Sequence, residues 1–220
     1  MRGRLVVAAA VLLAAPLGAQ EDVAFRAGVG IGSIVGNGGE SITVPAVGVD
    51  LGFPLGAGLS FRPGASYAQM GTETRSYGGG LEKTNSRSID YLQISGLLAW
   101  PRIIGSGRLS LGLQAGPWLG IRLACDASGV FSPRFCEGAD PGAEDADFGL
   151  MGKFGLSHGI TDGVLISIDA LYQVGLKDVI DYPPPEPWTG STGPRPLGVE
   201  IEGKEYTRLL ALQLGVAFKT

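Results

Sequence analysis

From Leu109 to Leu123 the chain alternates without a break. The odd positions carry Leu109, Leu111, Leu113, Ala115, Pro117, Leu119, Ile121 and Leu123, and the even ones Ser110, Gly112, Gln114, Gly116, Trp118, Gly120 and Arg122. A period of two means a β-strand with two unlike faces, because successive side chains point to opposite sides of the sheet. One face here is hydrocarbon; the other is glycine, amide, indole and guanidinium. Few environments accept a strand this long that is apolar on one side only.

The same test predicts seven further strands. Strand one (23–35) sets Phe25, Val29 and Ile31 against Arg26, Gly28, Gly30 and Gly32. Strand two (44–53) sets Val47, Val49, Leu51 and Phe53 against Gly48, Asp50 and Gly52, and strand three (59–71) sets Leu59, Phe61, Ala65 and Tyr67 against Ser60, Arg62, Gly64 and Ser66. Strand four (90–100) opposes Leu92, Ile94, Leu98 and Trp100 to Tyr91, Gln93 and Ser95. Strand six (147–160) opposes Phe148, Leu150, Phe154 and Leu156 to Gly149, Met151, Lys153 and Gly155. Strand seven (164–176) opposes Ile166, Ile168, Tyr172 and Val174 to Ser167, Asp169 and Gln173. Strand eight (206–218) opposes Leu210, Leu212, Leu214, Val216 and Phe218 to Thr207, Gln213 and Gly215. With 37 glycines, 14 prolines and no amphipathic helical run after the first twenty residues, the chain reads as all-β.

A soluble sandwich also alternates, so three further features decide between it and a membrane barrel. The polar face is mostly glycine, serine and glutamine with single charges, which suits a narrow barrel interior better than a wetted sheet. Connections after strands two, four and six are short (54–58, 101–107, 161–163), whereas the others tend to be long, up to 177–204. Outer-membrane barrels show that asymmetry, with tight periplasmic turns and extended outer loops. Aromatic residues fall near the strand ends on the apolar face: Phe53, Phe61, Trp100 and Phe218 at one end, Tyr67, Phe148, Tyr172 and Tyr206 at the other. Two such girdles match two headgroup interfaces. In hydrocarbon every backbone N–H and C=O needs a partner inside the protein, which only a closed sheet supplies. The expectation is an eight-stranded antiparallel up-and-down transmembrane barrel, with short periplasmic turns and long extracellular loops.

The segment MRGRLVVAAAVLLAAPLGAQ has two arginines, an apolar run and a small-residue exit at Ala19. That is the layout of a signal peptide spanning 1–19, followed by one barrel domain over 20–220. Losing Arg2 and Arg4 changes the formal charge from -4 to -6. An acidic exported chain is not built to bind nucleic acid. Cys125 and Cys136 are expected to form a disulfide in an oxidising compartment, two free thiols being the alternative. A metal site is less well served, since two ligands without a nearby histidine are too few.

Four segments resemble the outer-membrane β-barrel domain family described as porin-like or PorT-like. They are YLQISGLLAW (91–100), GLQAGPWLGI (112–121), DFGLMGKFGL (147–156) and LYQVGLKDV (171–179), in that order along residues 22 to 218. The resemblance implies an eight-stranded outer-membrane barrel of a Gram-negative bacterium, without an assigned transport or enzymatic activity. The last strand is similar to a barrel-insertion signal at Gln213, Gly215 and Phe218, but Thr220 stands where a terminal aromatic is usual.

On this register Arg26, Asp50, Arg62, Arg122, Lys153 and Asp169 point inward. Unpaired charge is costly in a closed lumen, so these are expected to form a salt-bridged network, with the excess of cations offset by water, by Asp90 or Glu205 near the rim, or by a shift of register. Enzymatic barrels generally use a histidine or a carboxylate pair as general base. The only histidine, His158, falls on the lipid-facing register, and no serine, histidine and acid set converges. GVGIGSIVG (28–36) is no dinucleotide loop, because no helix follows it. DPGAEDAD (140–147) lacks the spacing of a calcium loop and reads as an acidic rim. DYPPPEPWTGSTGPRPLG (181–198) is a stiff outer loop on which Tyr182 and Trp188 could meet a partner. The resulting expectation is a structural or surface-interaction barrel, without cofactor, metal or catalytic residues. Its partners are outer-membrane lipid, the barrel-insertion machinery and a protein reached through the loops. A narrow solute channel and a lipid-modifying enzyme are the alternatives.

Overall fold

The computed structural model describes residues 22–35, 39–78, 81–100, 109–128, 136, 142–143, 145–177, 180–181 and 205–219. The segment 1–19, the connection 101–107, Thr220 and the loop positions Tyr182 and Trp188 lie outside the described residues. Eight strands close into an antiparallel barrel: β1 (Asp22–Val35), β2 (Glu40–Gly56), β3 (Leu59–Gly78), β4 (Leu81–Ala99), β5 (Leu109–Ser128), β7 (Ala146–Gly159), β8 (Val164–Gly175) and β10 (Tyr206–Lys219). Each pairs with its sequence neighbours, and β1 pairs with β10 from Asp22↔Lys219 to Val35↔Tyr206, so no sheet edge is left along the wall. Two short segments, β6 (Gly142–Ala143) and β9 (Ile180–Asp181), pair with each other beyond the barrel.

The turn between β2 and β3 shows why glycine brackets it. Gly56, Ala57 and Gly58 all have positive φ, at 93°, 52° and 78°. Side chains resist this region, and alanine there is tolerated because two glycines absorb the remaining curvature. On the opposite end β3 and β4 continue well past the apolar band as a hairpin, pairing from Gly71↔Ser88 to Gly78↔Leu81. Both faces of that extension carry polar residues, so it has no period-two contrast in hydropathy, and the expected strands (59–71 and 90–100) stop short of it.

One irregularity changes the side of a whole segment. Asp90 pairs with Ala124 but Tyr91 with Arg122, so Leu123 is an extra residue on β5. A bulge of one residue reverses the facing of everything beyond it. Ala124, Asp126 and Ser128 are exposed, whereas Cys125 and Ala127 pack against the interior cluster. Reading the alternation unbroken to Leu123 is therefore corrected at that residue.

Inward glycines create space for large neighbours. A Cβ on Gly149 would collide with the Val174 carbonyl and lie 2.8 Å from the indole Nε1 of Trp118, which occupies the lumen beside it. A Cβ on Gly112 would have nothing within 4 Å. Gly149→Ala is expected to lose about 1–3 kcal/mol by overpacking, and Gly112→Ala to stay within about 0.5 kcal/mol; denaturant unfolding in lipid vesicles compares the two.

Candidate functional site

The interior is stratified. Following the strand pairings, one level holds Arg26, Asp50, Arg62, Leu97, Gln114, Lys153, Asp169 and Gln213, one residue from each barrel strand. Gln213 stands across from Asp169, Gln114 across from Lys153, and Arg62 across from Leu97. Arg26 donates from Nε to Asp169 at 2.9 Å and is ion-paired with Asp50 through Nη1. Arg62 donates from Nε to Asp50 at 2.9 Å and from Nη2 to Asp22. Lys153 Nζ lies 3.8 Å from Asp50, and the Ser167 hydroxyl donates to Asp169 at 2.7 Å. Asp50 thus touches three cations, and both it and Asp169 are only 3% exposed.

Five of the six expected lumen charges come together, and the sixth does not. Arg122 lies near the far rim, donating to Asp145 at 2.5 Å, where the Asp145 side chain is 90% exposed. Asp22, one residue before the expected start of strand one, takes its place in the network. Three cations then face three carboxylates, so the expected excess of positive charge disappears. Nor does Asp90 turn inward: on β4 the even positions face out, and Asp90 takes a hydrogen bond with outward Tyr67. Glu205 is fully buried and pairs with Arg87 at 3.2 Å, above the network rather than in it.

Polar and charged side chains line the ionic level, the space below it (Ser110, Ser157) and positions above it (Asp147, Thr207, Glu205), but they do not fill the whole lumen as expected. Above the ionic level lies an apolar slab that includes Trp118, Met151, Leu171 and Leu209, followed by Met70, Ile89 and Tyr91, all buried. Gln93 and Gln173, 1% and 0% exposed, are embedded in it. In these strand halves both faces are apolar, as at Leu171–Tyr172 and Leu209–Leu210, so hydropathy cannot say which residue points in. The space left between the ionic level and the slab is a cavity of about 20 Å³, enough for about one water.

Below the ionic level, towards the short turns, the lumen opens into a vestibule of about 180 Å³. Arg26, Arg62, Asp22 and Asp169 form its roof, Ser110, Ser157 and Gln114 its side, and Lys219 its mouth. The Ser110 and Ser157 hydroxyls are hydrogen-bonded to each other at 2.8 Å.

The outer wall is the inverse of a soluble protein's surface. Phe25, Val29, Leu150, Leu212 and Leu214 are between 53% and 65% exposed. Phe61, Trp100 and Phe218 project outward at the short-turn end with Phe53, and Phe148, Tyr172, Tyr67 and Tyr206 project at the other. Phe25 lies against Phe218, ring centres 6.4 Å apart and edge-to-face, an aromatic not assigned to either girdle from the sequence. His158 is exposed on the outer wall opposite Leu109 and Ile166, remote from the lumen charges.

Cys125 and Cys136 are joined in a disulfide. Cys125 lies inside β5 rather than after it, and both sulfurs pack against the apolar slab, which ties residue 136 over the barrel mouth. Of the acidic run 140–147, Asp145 pairs with Arg122 and Asp147 turns inward to accept from Thr207 at 2.5 Å. Among the described residues no three histidine, cysteine, aspartate or glutamate side chains converge as a metal site.

No family model and no curated protein matches the sequence. Among solved structures the chain is similar to Neisserial surface protein A (NspA), with 14% identity over 90% of this chain and 96% of that one and a TM-score of 0.53. It is similar to the outer membrane protein OprG from Pseudomonas aeruginosa at 14% identity, over 91% and 96% of the two chains, also with a TM-score of 0.53. At that identity what is shared is the fold, an eight-stranded antiparallel barrel.

Proposed function

We propose that this chain is an integral outer-membrane barrel whose lumen is a structural plug and whose work is done at its outer end, as a surface-interaction scaffold. The observation that carries this reading is the stratified interior: an ion-paired level under an apolar slab, separated by a cavity of about 20 Å³. A hydrated ion crossing it would have to displace paired charges and then enter hydrocarbon. The outer wall supports membrane placement, because large apolar side chains 38% to 65% exposed on all eight barrel strands are stable only against acyl chains. Two structures of this fold bear the names surface protein and outer membrane protein, which agrees with that placement. The short turns then face the periplasm, and the β3–β4 hairpin with the disulfide-tied segment faces outward. Relationship to the porin-like or PorT-like family is part of this proposal, carried by the four segments quoted above. So are export by a cleaved leader, insertion by the barrel-assembly machinery, absence of enzymatic activity, and partner contact through the loop 181–198.

In planar bilayers the purified protein is expected to give no stepwise conductance at high protein load; steady unitary currents would show the plug reading to be wrong and support a channel. Deleting residues 183–196 is expected to leave barrel folding intact, as judged by heat-modifiable gel mobility, while abolishing capture of a surface partner. Retained capture would move the contact elsewhere.

A further inference from the structure

We propose that the vestibule at the short-turn end is a binding site for a small oxyanion of the phosphate class. Its volume, about 180 Å³, far exceeds the ~10–15 Å³ that one water requires, so a four-oxygen anion fits with some of its hydration. Its one cation beyond the balanced ionic level is Lys219, since among the described residues Arg26, Arg62 and Lys153 face Asp22, Asp50 and Asp169. Each acid already has a cation beside it. Asp169 Oδ2 accepts from both Arg26 and Ser167, and Asp22 Oδ1 accepts from Arg62.

Donors, by contrast, are in surplus. Each guanidinium offers five N–H groups in a planar fork, and each engages carboxylates through Nε and one Nη only: Arg26 through Nε and Nη1, Arg62 through Nε and Nη2. These contacts use only part of each five-donor fork, so N–H groups remain on both guanidiniums beyond those engaged in them. Both arginines are fixed by their ion pairs, so an anion would meet donors that are already oriented, within low-dielectric walls that strengthen the attraction. Of the Ser110 and Ser157 hydroxyls, which are bonded to each other, one keeps its proton for an anion at the side, and Lys219 raises the local anion concentration at the mouth. Beyond the roof the slab blocks passage, which makes the vestibule a dead end that retains an anion rather than a route that conducts it.

The test is titration of the full-length barrel in zwitterionic micelles with inorganic phosphate at constant ionic strength, followed by calorimetry and phosphorus line broadening. Saturable binding of one phosphate per barrel is expected. Gly112→Leu places a side chain in the vestibule from a position with nothing within 4 Å of its Cβ, and Lys219→Glu makes acids outnumber cations in the lining. Each is expected to weaken binding at least about tenfold, with unchanged heat-modifiable mobility. Absence of saturation, or saturation unchanged in both variants, would overturn the proposal.

Discussion

Asp50→Ala is expected to destabilise the barrel by about 3–5 kcal/mol, the largest effect of any single polar substitution in this chain. Asp50 contacts Arg26, Arg62 and Lys153, and its removal leaves three cations around a position that water barely reaches. The cost comes mainly from the partners left behind, not from the lost attraction. Forming a buried ion pair only roughly balances desolvation, but stranding one member of it does not. A control follows from the same reasoning. Arg122→Gln breaks a pair whose acid is 90% exposed, and surface pairs contribute only about 0–1 kcal/mol. Reversible unfolding in urea from lipid vesicles measures both, and equal losses would mean that Asp50 and Arg122 share one kind of environment after all. Restoring balance should also recover stability: Lys153→Met in the Asp50→Ala background removes a cation that lies against Asp50 while leaving Arg26 with Asp169 and Arg62 with Asp22, and is expected to regain part of the loss.

That contrast between Asp50 and Arg122 shows where the sequence is readable and where it is not. Alternation reports facing wherever one side of a strand is apolar and the other small or polar, as along Phe148–Leu156, and it reports strand number for the same reason. It is silent on the upper lumen, where a leucine at 209 and a leucine at 210 are equivalent to any hydropathy test although one is 2% and the other 55% exposed. It also fails at Leu123, because a bulge is a change of register against a neighbouring strand and leaves no mark in local composition. Charge pairing has a similar limit. Arg122 has the same inward parity as Arg26, but depth along the barrel axis depends on how eight strands are staggered, a property of the closed sheet. Asp22 carries no mark in the pattern, since it borders the apolar-patterned part of strand one; its role depends on Arg62, forty residues later, reaching it across the barrel floor.

The second large effect concerns the opposite face. Leu212 points outward at mid-wall, 57% exposed, between Val29 on β1 and Ala170 on β8. In water an exposed leucine could be replaced by arginine at almost no cost. Against acyl chains the guanidinium has no solvent, and Leu212→Arg is expected to destabilise the folded barrel by about 2–4 kcal/mol, whereas Phe218→Arg, at the end of the same strand, should cost only about 0–1 kcal/mol because its side chain reaches the headgroups. The gradient matters more than either value. Loss of a packing contact would affect Phe218 at least as much, since it stacks against Phe25; only a low-dielectric slab centred on the wall makes the smaller, less engaged residue the more sensitive one. Unfolding free energies measured in vesicles for the two variants decide the matter, and a Leu212→Arg barrel that is as stable as the parent, or that stays folded without detergent or lipid, would place this surface in water and remove the membrane from the account.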